Sequence, residues 1–150
     1  MSAPEHYRSK TLATWIAVIG GGLGLHRFYL RGLRDPWGWL HAPPTLIGLY
    51  GLQRMNELGQ DDKLAWALIP LLGFSLAAAM LAAIVYGLTP DEKWDARHNP
   101  GAPTQATRWG PVFGVIVALM LGAAALMATV AFSGQRYFEW QVEEGRKISQ

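Results

Sequence analysis

The chain contains no cysteine in 150 residues. Disulfides, thiolate metal sites and cysteine nucleophiles are therefore excluded, and redox compartment cannot be inferred. Charge is also scarce. Asp, Glu, Lys and Arg make up 16% of residues, and 13 basic against 11 acidic side chains leave a net charge of +2. That excess is too small and too dispersed for a nucleic-acid surface, so no nucleic-acid partner is expected. The serines are few (Ser2, Ser9, Ser75, Ser133 and Ser149), and none sits in a Gly-x-Ser-x-Gly elbow. No carboxylate interrupts the longest apolar runs, and no His-x-x-x-His pair or strand-linked glycine loop is present. The resulting expectation is a non-enzymatic protein with no catalytic residues, metal or cofactor.

Apolar residues are what the chain has in quantity, at 51%. Leu64 to Leu88 is a run of 25 residues without a charge, and Gly110 to Gln135 is another of 26. Each is long enough to cross a bilayer of about 30 Å. The composition predicts an all-α, multi-pass integral membrane protein with four transmembrane helices at about 9–30, 36–54, 64–88 and 111–133. Arg8 and Lys10 precede the first apolar run as in a signal peptide, but no small-x-small cleavage site follows, so a retained helix is expected. Thr11 to Leu25 alone reaches only about 22 Å. Either the helix continues to Leu30 with Arg27 snorkelling to headgroups, or the segment is a half-buried hairpin.

Asp35-Pro36 predicts the start of the second helix, inside which Pro43 and Pro44 should force a kink. Thr89-Pro90-Asp91-Glu92 reads as a capping box opening a short interfacial helix at about 90–97. Residues 134–150 read as an amphipathic or polar tail, which from Gln135 to Lys147 could prolong the fourth helix. Four spans would leave both termini on one side. The Lys and Arg divide seven against six between the two sides, which gives no orientation.

Small residues recur at four-residue spacing: Gly20 and Gly24 in the first span, Gly73 and Ala77 in the third, and Gly114, Ala118 and Gly122 in the fourth. Such stripes let helix backbones approach closely. They serve packing within the bundle, or docking onto another membrane protein or a second copy. His26 and Arg27 are the ionisable pair nearest an apolar span. Arg27 could anchor to lipid phosphate, bond carbonyls freed at Pro43-Pro44, or join His26 in handling a proton or ligand. Together with Arg31 and Arg34 the pair forms a candidate contact for lipids, anionic ones among them, or for a partner. His41 and His98 could approach His26, but without the carboxylate partners a metal centre needs.

The segment Gly21-Gly22-Leu23-Gly24-Leu25-His26-Arg27-Phe28-Tyr29-Leu30, preceded by Arg8-Ser9-Lys10-Thr11, resembles the start of the TM2 domain family. The resemblance covers about residues 8–55. Here Arg31 precedes the Gly32 that the family places directly after the motif, and the acidic residue usual at the end of the second helix is absent. The resemblance implies a membrane hairpin at 8–55, with the 64–133 segment as a second hairpin outside it. It carries no catalytic activity. It also implies that the turn faces the cytoplasm and both termini lie outside it.

These readings converge on an accessory or scaffold subunit of a bacterial inner membrane, packing through its small-residue faces. The alternative is a small oligomeric transporter, channel or lipid-binding protein built on the first hairpin.

Overall fold

The computed structural model describes residues 7–149, which are all-helical, with no strand among the described residues. Helix α1 (Lys10–Gly20) starts at Ser9, whose hydroxyl accepts from Leu12 N. It does not continue to Leu30. A single 3₁₀ turn (Gly21–Leu23) follows, Gly24 adopts φ +77°, and α2 (Leu25–Arg31) leaves in a new direction.

The proof of reversal is a hydrogen bond: Ser9 N donates to Tyr29 Oη at 2.8 Å across 20 residues. An unbroken helix would separate them by about 30 Å. The expected first span at 9–30 is therefore corrected to a folded-back pair. At Gly24 the positive φ suits glycine, and a Cβ there would stand 2.1 Å from the Gly38 carbonyl oxygen.

The second expected helix is also divided. Asp35 caps α3 (Pro36–Trp39), its carboxylate accepting from Trp37 N, and Pro36 takes the first turn. After a break, α4 (Ala42–Leu58) begins. Pro43 and Pro44 stand in the first turn of α4, and Leu40 and His41 ahead of them keep right-handed helical dihedrals, so the division is an interruption of hydrogen bonding at the place where the kink was expected. Without N–H groups the two prolines cannot donate back to the carbonyls one turn earlier.

Helix α5 (Lys63–Leu88) is capped by Asp62, while Thr89 closes it by donating its hydroxyl to Val85 O at 2.6 Å. The capping box is thereby corrected, because Pro90 occupies the cap of α6 (Asp91–His98) with no side-chain bond. Helix α7 spans Gly110–Ile148, 39 residues. It runs past 133, and the tail up to Ile148 prolongs the same helix, the alternative left open by its sequence.

Helices α5 and α7 pack closely, with Thr129 against Gly73 and Met80 against Gly122. Helix α1 lies on the second half of α5, Gly21 touching Ala79, while α4 covers the first half, Gly48 against Leu72 and Gly51 against Leu68. Ala17, Ala79, Met80, Ala83 and Ala118 form the buried core. Two helices, Lys63–Leu88 and Gly110–Ile148, are long and apolar enough to cross a membrane. We call the end holding Lys10, Leu88 and Gly110 proximal, and the end holding Leu58 and Lys63 distal.

Candidate functional site

The tip of the α1–α2 pair meets the start of α4 on the flank of α5. Thr45 Oγ1 lies 2.6 Å from Gly22 O and 3.1 Å from His41 O. Its single proton goes to the nearer carbonyl, tying the tip to the new helix. Next to this junction His26 is 1% exposed, and its Nδ1 has no hydrogen-bond partner among the described residues. The His41 ring stands edge-on at 5.3 Å and the Tyr86 ring at 5.8 Å. His41 Nδ1 is 2.7 Å from Trp37 O, so Nδ1 carries the proton and donates. A buried, unpartnered imidazole nitrogen costs free energy unless something pairs with it, and that makes this niche the chemically poised point of the hairpin.

Arg27 does not reach Pro43-Pro44. Its Nε donates to Asp35 Oδ2 at 2.8 Å, and this guanidinium holds the Asp35 carboxyl below the usual carboxylate range. Asp35 thus combines a helix cap with an ion pair, and only the cap was legible from its place before Pro36. Arg31 and Arg34 are exposed. The four residues expected to form one contact are therefore split: His26 inside, Arg27 paired, Arg31 and Arg34 facing out.

The small-residue faces are covered from within. A Cβ at Gly114 would meet Thr14, one at Gly20 would meet Leu25, and Ala118 is fully buried. Gly73 and Gly122 lie in the α5–α7 contact, while Ala77 is half-buried beside it.

A second polar cluster closes the proximal end. Asp95 Oδ1 accepts from Tyr7 Oη and Asn99 Nδ2, both at 2.7 Å, and Oδ2 accepts from Gln105 N at 3.0 Å. Asn99 Oδ1 accepts from Arg8 N at 2.7 Å, and Trp94 Nε1 donates to Arg8 O at 2.8 Å. Lys10 bonds Asp91, and Thr107 donates to Asp91 through both N and Oγ1. Burial pushes both carboxyls upward, but the donors around them outweigh it and hold them below the usual range. The Tyr7 hydroxyl is pushed up to about 12, first by burial and then by its bond to Asp95. Every carboxylate oxygen here is answered by a donor, which reads as a structural clasp. Spacing could not reveal it, because Tyr7, Arg8 and Lys10 lie about 80 to 90 residues from their partners.

No group of three or more His, Asp or Glu able to hold a metal occurs among the described residues. His98 stacks on Trp94 at 4.3 Å, in the clasp. No family model matches the chain, and no curated protein or solved structure was found to be similar to it.

Proposed function

We propose that the chain is a multi-pass membrane protein, without catalysis of its own, that serves as an accessory or scaffold subunit of a bacterial inner membrane. One observation carries this reading: the division of surfaces. The glycine and alanine faces are used inward, while Phe113, Ile116, Leu119, Met120, Met127 and Val130 stand exposed along α7. An apolar band of that length is foreign to a water-facing surface and ordinary against lipid.

In this reading α5 and α7 cross the bilayer, and α3 with α4 makes a divided third crossing. The TM2-like stretch supplies α1 and α2 as a re-entrant hairpin. Eleven residues of α1 reach about 16 Å, half the hydrocarbon depth. The irregular backbone at Gly21–Gly24 and the carbonyls left free ahead of Pro43 and Pro44 then lie against protein, where a membrane tolerates them. The hairpin carries the Arg27–Arg34 turn to the N-terminal side. Eight of the 13 Lys and Arg (Arg8, Lys10, Arg27, Arg31, Arg34, Lys93, Arg97 and Arg108) then share the proximal end. Positive charge favours the cytoplasm, so that end faces inward. The turn keeps the side that the TM2 resemblance implies, and the N-terminus joins it there.

The partner is another integral membrane protein or a second copy, received by the outward face of α7 and its extension from Gln135 to Ile148. Gentle detergent extraction followed by sizing tests this. A strictly monomeric species with no co-purifying protein would sink the subunit reading, and a chain soluble without detergent would sink the membrane one.

The unpartnered His26 Nδ1 at the junction favours a second reading, a small oligomeric transporter, channel or lipid-binding protein using the hairpin. Unchanged flux and lipid retention in folded His26→Ala and Arg27→Gln variants would count against it.

A further inference from the structure

At the distal end, far from the hairpin, a laterally open cavity of about 400 Å³ lies between α5 and α7. Its lining includes Lys63, Trp66, Pro70, Ser133, Arg136 and Trp140. Arg136 is fixed in place: its guanidinium packs over the rings of Trp66 at 5.1 Å and Phe132 at 5.3 Å. Nη1 donates to Glu139 at 2.6 Å, but Nε and Nη2 make no hydrogen bond among the described residues. Nε and Nη2 form the side-on edge of a guanidinium, the fork that grips a two-oxygen anion. Elsewhere in the chain this edge is filled: Arg54 directs Nε and Nη2 at the two oxygens of Asp62, at 2.7 and 3.1 Å. Ser133 Oγ, one helical turn before Arg136, is likewise buried without a partner.

We infer that this cavity is a binding site for the phosphate headgroup of a membrane glycerophospholipid. The inference rests on the membrane reading above and names a ligand and a place that reading lacks. Arg136 and Ser133 supply donors to phosphate oxygens, small side-chain rotations opening the enclosed Nε and Oγ to the cavity. Lys63 stands at the rim in an exposed pair with Glu143 at 2.9 Å, a weak bond easily exchanged for phosphate. Trp66 and Trp140 mark headgroup depth, where indole rings collect. From there Ala67 and Pro70 lead inward along α5, an apolar track for an acyl chain. A water-soluble phosphate would have no use for that track.

The test uses the full chain in mild detergent with added phosphatidylglycerol, bound lipid being counted by native mass spectrometry. Wild type retains the lipid. Arg136→Gln lowers occupancy about ten-fold, and Arg136→Lys, which keeps charge without the fork, lowers it about three-fold or more. Ser133→Ala removes one hydroxyl, lowers occupancy about two-fold, and decides the matter if the Arg136 variants fail to fold. Arg146→Gln, farther along α7, retains lipid as wild type does. Equal occupancy in wild type and a folded Arg136→Gln or Ser133→Ala overturns the site. Equal retention of diacylglycerol, which lacks phosphate, or displacement of the lipid by inorganic phosphate overturns the ligand. A chain that needs detergent yet binds no lipid refutes this site alone, whereas one soluble without detergent refutes the membrane reading.

Discussion

Lys10 is a lysine taken out of water: its side chain is 7% exposed, with Nζ between Asp91 and the Thr89 carbonyl, the latter at 2.9 Å. Its partner is doubly engaged, because Asp91 also receives two bonds from Thr107. Asp91→Asn should therefore destabilise the protein by about 2 kcal/mol, since it leaves an ammonium buried without its counter-charge. A fall in the thermal unfolding midpoint in detergent would show this; an unchanged midpoint would contradict it. The pH dependence has a definite sign. Asp91 and Asp95 are depressed in the fold, so their stabilisation is complete above the unfolded carboxylate value of about 4 and is lost as pH falls through the lower folded values. Acidification below about pH 4 should lower the midpoint of wild type more than that of Asp91→Asn. The sequence allowed Asp91 to be read as a local cap. Its true partners, Lys10 and Thr107, were invisible because they depend on the chain folding back over its own start.

At the scale of elements, periodicity and hydropathy located α5 almost to the residue and α6 within one position. They failed where a break depends on close approach. Glycines at 20, 21, 22 and 24 fit a GxxxG span and a fold-back equally well. What decides between them is Gly38, whose carbonyl approaches Gly24 from the next element. Gly24→Ala should cost about 3 kcal/mol or more, from the left-handed backbone and the clash together. A wild-type unfolding midpoint would refute the tight crossing. Proline gave a similar ambiguity, since two adjacent prolines mark a kink or a helix start. Standing in the first turn of α4, they cost the helix little, so Pro43→Ala with Pro44→Ala should change stability by about 1 kcal/mol or less. A gain of helix by circular dichroism that joins α3 to α4 would identify the prolines as the cause of the break.

For the whole molecule, the hairpin in the proposed membrane arrangement alters sidedness more than it alters packing. Four full crossings would return both termini to one side; a half-depth hairpin with three crossings separates them. The absence of cysteine makes this directly measurable. Single cysteines in place of Arg8, Thr104 and Gly145 can be probed with a maleimide that does not cross membranes. Positions 8 and 104 should label from the cytoplasmic side and 145 from the other. Labelling of 8 and 145 from the same side would restore the four-span arrangement. Helix count was only partly legible because hydropathy measures length along the chain, and a segment that reverses has half the reach of one that runs straight.

The unbroken course of α7 gives it the properties of a lever. Its 39 residues extend about 58 Å, nearly twice the hydrocarbon thickness of about 30 Å. If α7 crosses the bilayer as proposed, its neighbours and interfacial side chains set its tilt, and a thickness change that tilted the molecule by about 10° would sweep the far end sideways by about 10 Å. Ile148 and the residues before it would then report membrane thickness as a position in water, without any rearrangement of the core. Spin-label distances from position 145 to the bilayer surface, compared in thin and thick nanodiscs, would measure that motion; identical distances would mean that the lever is held fixed.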